Sequence, residues 1–83
     1  MGKKRVYNHD QLARINEIKR SLCWTLQRVH ARTQQTQGDF ARRLGTTQST
    51  LSAVFNHNYE RVTIDRLVTY LVIAESDVMA VIE

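Results

Sequence analysis

Within the six positions from Thr47 to Ser52 the chain carries Thr47, Gln48, Ser49, Thr50 and Ser52, five neutral hydrogen-bonding side chains with no acid among them. Amides and hydroxyls without a carboxylate can bond the polar edges of a partner and meet no repulsion from a polyanion. A glutamine amide matches the paired donor and acceptor of an adenine edge. Hydrolytic and metal chemistry has no comparable supply. His9, His30 and His57 lack zinc-ligand spacing and have no companion Cys pair. Cys23 has neither a visible His partner nor a helix N-terminal position to activate it. No acid pair, glycine-rich phosphate loop or Ser-His-Asp pattern stands out. The expectation is a binding protein and not an enzyme, with no metal and no cofactor.

The polar run must be positioned by the elements around it. Residues 1–8, with Lys3, Lys4 and Arg5, read as a flexible basic arm, and residues 9–83 as a single domain. Asn8 or Asp10 can cap a long amphipathic helix, in which Leu12, Ile15, Ile18, Leu22, Leu26 and Val29 recur at steps of three and four until about Arg32. Thr33, Gln34 and Gln35 form the loop. Thr36 then starts a second helix, with Asp39 three residues on near the positive end of the helix dipole and Phe40, Ala41 and Leu44 inside. Gly45 ends it where a left-handed turn is needed. Thr47 caps a third helix from Gln48 to about Phe55, with Leu51, Val54 and Phe55 inward, and Asn56, His57 and Asn58 break it. Thr63 caps a fourth, whose inner face is Ile64, Leu67, Val68 and Leu71 and which closes near Ala74. Ser76 or Asp77 caps a last short element, Val78 to Ile82, read as helix in preference to strand. The fold expected is all-α, a compact five-helix domain with an extended first helix.

Composition narrows the partner. The 83 residues hold 12 Lys and Arg against 8 Asp and Glu, a net charge of +4. A chain this short buries only about 60–65% of its unfolded surface, which leaves one modest core and no deep substrate cleft. With 42% hydrophobic and 24% charged residues the chain is of ordinary globular composition. The single Cys23 fits a reducing cytosol, and neither a membrane span nor a signal-peptide core is present. Charge is unevenly placed: residues 1–43 hold ten basic and three acidic side chains, and residues 44–83 two basic and five acidic. Such a field concentrates polyanions, so nucleic acid is the first partner to consider, ahead of an anionic membrane surface.

Residues 37–56 have the layout of two helices that cross steeply about a short turn. Ala41 supplies the small contact, Phe40, Leu44, Leu51 and Val54 the anchors, and Gly45 the change of direction. Gln48, Ser49, Thr50 and Ser52 then face outward on a helix suited to a DNA major groove. Arg42 and Arg43 beside the motif, with Thr47 at its cap, lie within reach of phosphate. So do Asn56, Asn58 and Arg61 in the loop beyond, where side-chain donors meet the sugar-phosphate chain. The arm residues Lys3, Lys4 and Arg5 can track phosphates or the minor groove.

Thr36-Gln37, Ala41, Gly45-Thr46-Thr47-Gln48, Leu51 and Val54 together resemble the helix-turn-helix of the lambdoid phage repressor and Cro-like superfamily, which includes controller proteins and many antitoxins. The resemblance is strong over about 20 residues and extends more weakly through Thr63–Leu71 and Ser76–Ile82. It implies a lambda-repressor-like fold. It also implies a cytoplasmic, nucleoid-associated regulator, bacterial or phage-encoded, that binds a palindromic operator on double-stranded DNA as a homodimer, as repressor or autoregulator. Gln37 would hold a phosphate near Gln48, and Gln48 would read a base edge. Ala53 departs from relatives with a glutamine there and would offer a thymine methyl only apolar contact.

Trp24 does not belong to the apolar stripe of its helix. At 100° per residue it lies roughly 160° from the centre of that stripe, with Arg20 and Arg28 one turn either side. This face, with Leu12 at the extended end, is expected to meet a second copy or a partner. Val78 and Ile82 are expected to serve the same purpose, with a toxin-like protein as the alternative partner. A protein-interaction module on the same fold is the remaining alternative.

Overall fold

Asn8 opens the first helix with a reciprocal cap. Its Oδ1 accepts the Gln11 backbone N–H at 2.8 Å, and the Gln11 Oε1 accepts the Asn8 N–H at 3.0 Å. The computed structural model describes residues 6–82, which form four α-helices and one 3-10 turn, with no strand among the described residues. The helices are α1 (His9–Thr33), α2 (Gln37–Leu44), α3 (Gln48–Phe55) and α4 (Ile64–Ile82), and the turn is Tyr59–Arg61. Lys3, Lys4 and Arg5, and the side chains of Val78 and Ile82, lie outside the described residues.

α1 is 25 residues long, about 37 Å at 1.5 Å per residue, and so runs most of the 44 Å long axis of the molecule. The core gathers on its C-terminal half. Cys23, Leu26 and Val29 of α1 pack with Phe40, Ala41 and Leu44 of α2, Leu51 and Val54 of α3, Val62, and Leu67, Tyr70, Leu71 and Ala74 of α4. Phe40, Leu26, Leu51 and Leu67 are fully buried, each adding about 1.5–3 kcal/mol of apolar transfer.

Two expected inner faces are corrected. Leu12 and Ile18 belong to the apolar stripe of α1 but are 44% and 47% exposed, because the early turns of that helix reach beyond the core. Val68 is 45% exposed, since it sits 100° round the helix from buried Leu67, and Tyr70 takes the inner position instead.

The count of helices is also corrected. Residues 64–82 form one continuous α4 where two elements were expected, for no Gly or Pro interrupts them. Ser76 does not cap a new helix, for its hydroxyl donates back to the Val72 carbonyl at 2.9 Å. Asp77 pairs with Arg43 instead.

Three helix ends turn through the left-handed region, at Gln34 (φ 59°), Gly45 (φ 77°) and His57 (φ 65°). At Gly45 the Thr46 N–H reaches the Ala41 carbonyl at 2.9 Å and the Gly45 N–H reaches that of Arg42 at 3.1 Å, closing α2 with a paired C-terminal cap. His57 repeats the pattern on α3 through Asn58 N–H to Ala53 O and His57 N–H to Val54 O. Opposite outcomes follow at two of these sites. Gly45→Ala should destabilise the fold by about 1 kcal/mol, and Gln34→Gly, at an exposed site, should stabilise it by up to about 1 kcal/mol. Urea unfolding of both variants measures the pair.

Candidate nucleic-acid interface

The α2–α3 unit is fixed from behind. Ala41, 1% exposed, lets the two helices approach, and Phe40, Leu44, Leu51 and Val54 lock them together. The Gln27 side-chain amide donates to the Phe55 carbonyl at 2.9 Å, tying the end of α3 to α1. His30 Nε2 meets the Gln35 carbonyl at 2.9 Å; a carbonyl only accepts, so this nitrogen carries the proton. The His30 ring lies 4.5 Å from that of Phe40 and 5.6 Å from that of Phe55, centroid to centroid, and so wedges the loop before α2 against the end of α3.

On α3, buried Leu51 and Val54 and half-buried Phe55 lie within about 100° of one another at 100° per residue. Gln48, Ser52, Ser49, Ala53 and Thr50 follow in that order around the remaining arc. Gln48 and Ser49 are exposed and the other three half-buried, and the first and last turns of α3 hold no charge. The five residues expected to meet bases therefore fill the arc of about 200° that the core leaves free, with Ser49 and Ala53 near its middle and Gln48 and Thr50 at its two edges. Thr47 caps the helix by accepting the Thr50 N–H at 3.1 Å, and its hydroxyl donates to the Thr50 hydroxyl at 2.9 Å, so the two threonines hold each other in place.

Gly38 touches this surface unexpectedly. A methyl group built on Gly38 would stand 3.4 Å from Gln48 Oε1, so the bare backbone of α2 is the bed on which the Gln48 amide lies. A glycine in the first turn of a helix, next to Gln37 and with no turn to make, was the available signal. Gln37 itself is half-buried.

The two arginines of α2 separate. Arg42 lies about 40° round the helix from Gly38, on the Gln48 side, whereas Arg43 lies about 140° away. Arg42 is exposed and makes only a loose 3.7 Å pair with Asp39. Arg43, expected beside it at phosphate, instead donates from Nε and Nη2 to the two carboxylate oxygens of Asp77, each at 2.8 Å. Those hydrogen bonds lower the Asp77 pKa from its ordinary value and raise that of Arg43. Arg43 thus joins α2 to α4. Local spacing offers Asp77 only as a cap, because it cannot connect residues 34 positions apart.

Asn56, Asn58 and Arg61 are exposed in the loop and turn at the end of α3, as is His57. Trp24 is 54% exposed, and the Arg28 guanidinium carbon stands 4.8 Å from its ring centroid. Burial pushes the Cys23 thiol up to about 11, which leaves it protonated and unreactive at neutral pH. Among the described residues no cluster of three His, Cys, Asp or Glu could hold a metal ion, and no helix is long and apolar enough to cross a membrane. Comparison of the chain with protein-family models, with curated proteins and with solved structures finds no match.

Two predictions rest on these contacts. Gly38→Ala should raise fold stability by about 0.5–1 kcal/mol through helix propensity, because the new methyl sits at ordinary contact distance from Gln48 Oε1, and should shift the Gln48 side-chain NH2 resonance in NMR spectra without unseating the amide. The Arg43–Asp77 pair stabilises the fold while Asp77 is ionised, so its contribution is complete above the unfolded carboxylate pKa of about 4 and is lost as pH falls through the depressed folded value. The stability gap between the native chain and Asp77→Asn should accordingly close on acidification, as followed by urea unfolding across the acid range.

Proposed function

We propose that this chain is a sequence-specific DNA-binding regulator of transcription, a dimeric repressor or autoregulator that reads a palindromic operator through α3. The observation that carries the reading is the uncharged outer arc of α3, which Gln48, Ser52, Ser49, Ala53 and Thr50 fill on a helix packed against α2. The resemblance of residues 37–56 to the phage repressor and Cro-like motif supports it.

In this reading Gln48, resting on Gly38, bonds an adenine edge, and Ser49, Thr50, Ser52 and Ala53 meet neighbouring bases. Gln37, Arg42 and Thr47 hold phosphates on one side of the groove, and Asn56, Asn58 and Arg61 on the other. A dimer sets two such helices about 34–36 Å apart, one turn of DNA, and blocks transcription by occupancy. The exposed Leu12, Ile18, Val68 and Val72 favour a second role as well, the holding of a small protein partner as antitoxin-type autoregulators do.

Random-site selection should enrich an inverted repeat with half-sites about one helical turn apart. Gln48→Ala should then relax preference at one base pair per half-site by about 1–3 kcal/mol. Arg42→Gln should flatten the dependence of log K on log salt by about 0.9 for each phosphate it no longer neutralises, while Arg43→Gln leaves that slope unchanged. Failure to enrich any motif contradicts the reading.

A further inference from the structure

The outer side of α1 holds a charged aromatic groove that the α2–α3 surface does not use. Glu17, Arg20, Ser21 and Trp24 line it from α1, and His57 lines it from the loop that ends α3. It therefore opens at the foot of the helix proposed to read DNA. α3 has no basic residue in its last turn, so cations that meet the backbone there must come from elsewhere. Arg20 stands in the groove, and Arg28 lies over the Trp24 ring one turn further along. Glu17 is the one acid among the lining residues. A half-exposed indole under a guanidinium offers a flat apolar surface beside hydrogen-bond donors, a combination able to take a sugar ring followed by a phosphate.

We propose that the groove formed by Trp24, Arg20 and His57 is a second contact site for duplex DNA, taking a sugar-phosphate segment that flanks the base pairs under α3. This rests on the DNA-binding reading above. Its charge favours a polyanion over the protein partner expected of the Trp24 face, since Arg20 in the groove and Arg28 over the Trp24 ring outweigh Glu17, and four of the five lining residues belong to the basic segment 1–43. The site adds affinity and salt dependence without sequence information. It also extends the footprint beyond the half-site.

Trp24 is the single tryptophan of the chain, so its fluorescence reports on this groove alone. The full chain is titrated with a duplex enriched by random-site selection while acrylamide quenching is followed, and salt titrations are compared for the native chain and Arg20→Gln. Bound DNA should shield Trp24 from acrylamide. Arg20→Gln should reduce the salt slope by about 0.9 for each phosphate left without its cation, with the preferred sequence unchanged. Glu17→Gln should shift affinity in the opposite direction. Sequence-specific binding with unaltered quenching and an unaltered Arg20→Gln slope overturns the groove assignment and leaves the α3 reading standing, whereas no DNA binding overturns both. Shielding that grows with protein concentration before DNA is added assigns the groove to protein contacts and overturns the proposal.

Discussion

An eight-residue helix does not hold itself together in water, and α2 and α3 are both that short. Their existence depends on one packing arrangement. Phe40, Ala41 and Leu44 of α2 close on Leu51 and Val54 of α3, against Cys23, Leu26 and Val29 of α1 and Leu67, Tyr70, Leu71 and Ala74 of α4. The polar outer arc of α3 follows from this burial. With Leu51 and Val54 committed inward, Gln48, Ser49, Ser52 and Ala53 have no alternative but to face out. Gly45, between the two helices, supplies the left-handed geometry that a side chain would strain.

The core divides charge from hydrogen-bonding capacity. Basic side chains cluster in the first half of the chain, on α1 and at the end of α2, while α3 contributes amides and hydroxyls. In the DNA-binding reading the cations would secure the backbone and the neutral groups would discriminate bases, two tasks with different salt dependence. Arg42 and Arg43 show how finely position sorts the cations. Adjacent in sequence and identical in chemistry, they lie on different sides of α2, and only Arg43 meets a carboxylate close enough for two short hydrogen bonds.

Much of the architecture was legible because it is local. Caps at Thr36, Thr47 and Thr63, the glycine at 45 and the steps of three and four set the starts of all four helices, and the ends of the first three, within a residue or two of where they lie. What local pattern could not convey is how far the core extends. Leu12 and Ile18 repeat the apolar period of α1, but periodicity says which side is apolar and not whether another helix covers it. The supposed break after Ala74 failed for a related reason, since Ser76 and Asp77 have capping chemistry but were engaged elsewhere. At the candidate site, the outward set on α3 was readable from spacing alone, whereas the Gly38 bed for Gln48 and the Arg43–Asp77 pair arise from tertiary approach.

The most direct measurement is an NMR titration of the isotopically labelled chain with a duplex recovered by selection. Saturable shifts concentrated in the backbone of residues 47–53 and the side-chain amide of Gln48, at near-stoichiometric DNA, are the result expected if α3 reads the bases. A duplex that binds while leaving those resonances in place, and moves only the basic residues of α1 and α2, would contradict it and leave a protein that holds DNA without reading it.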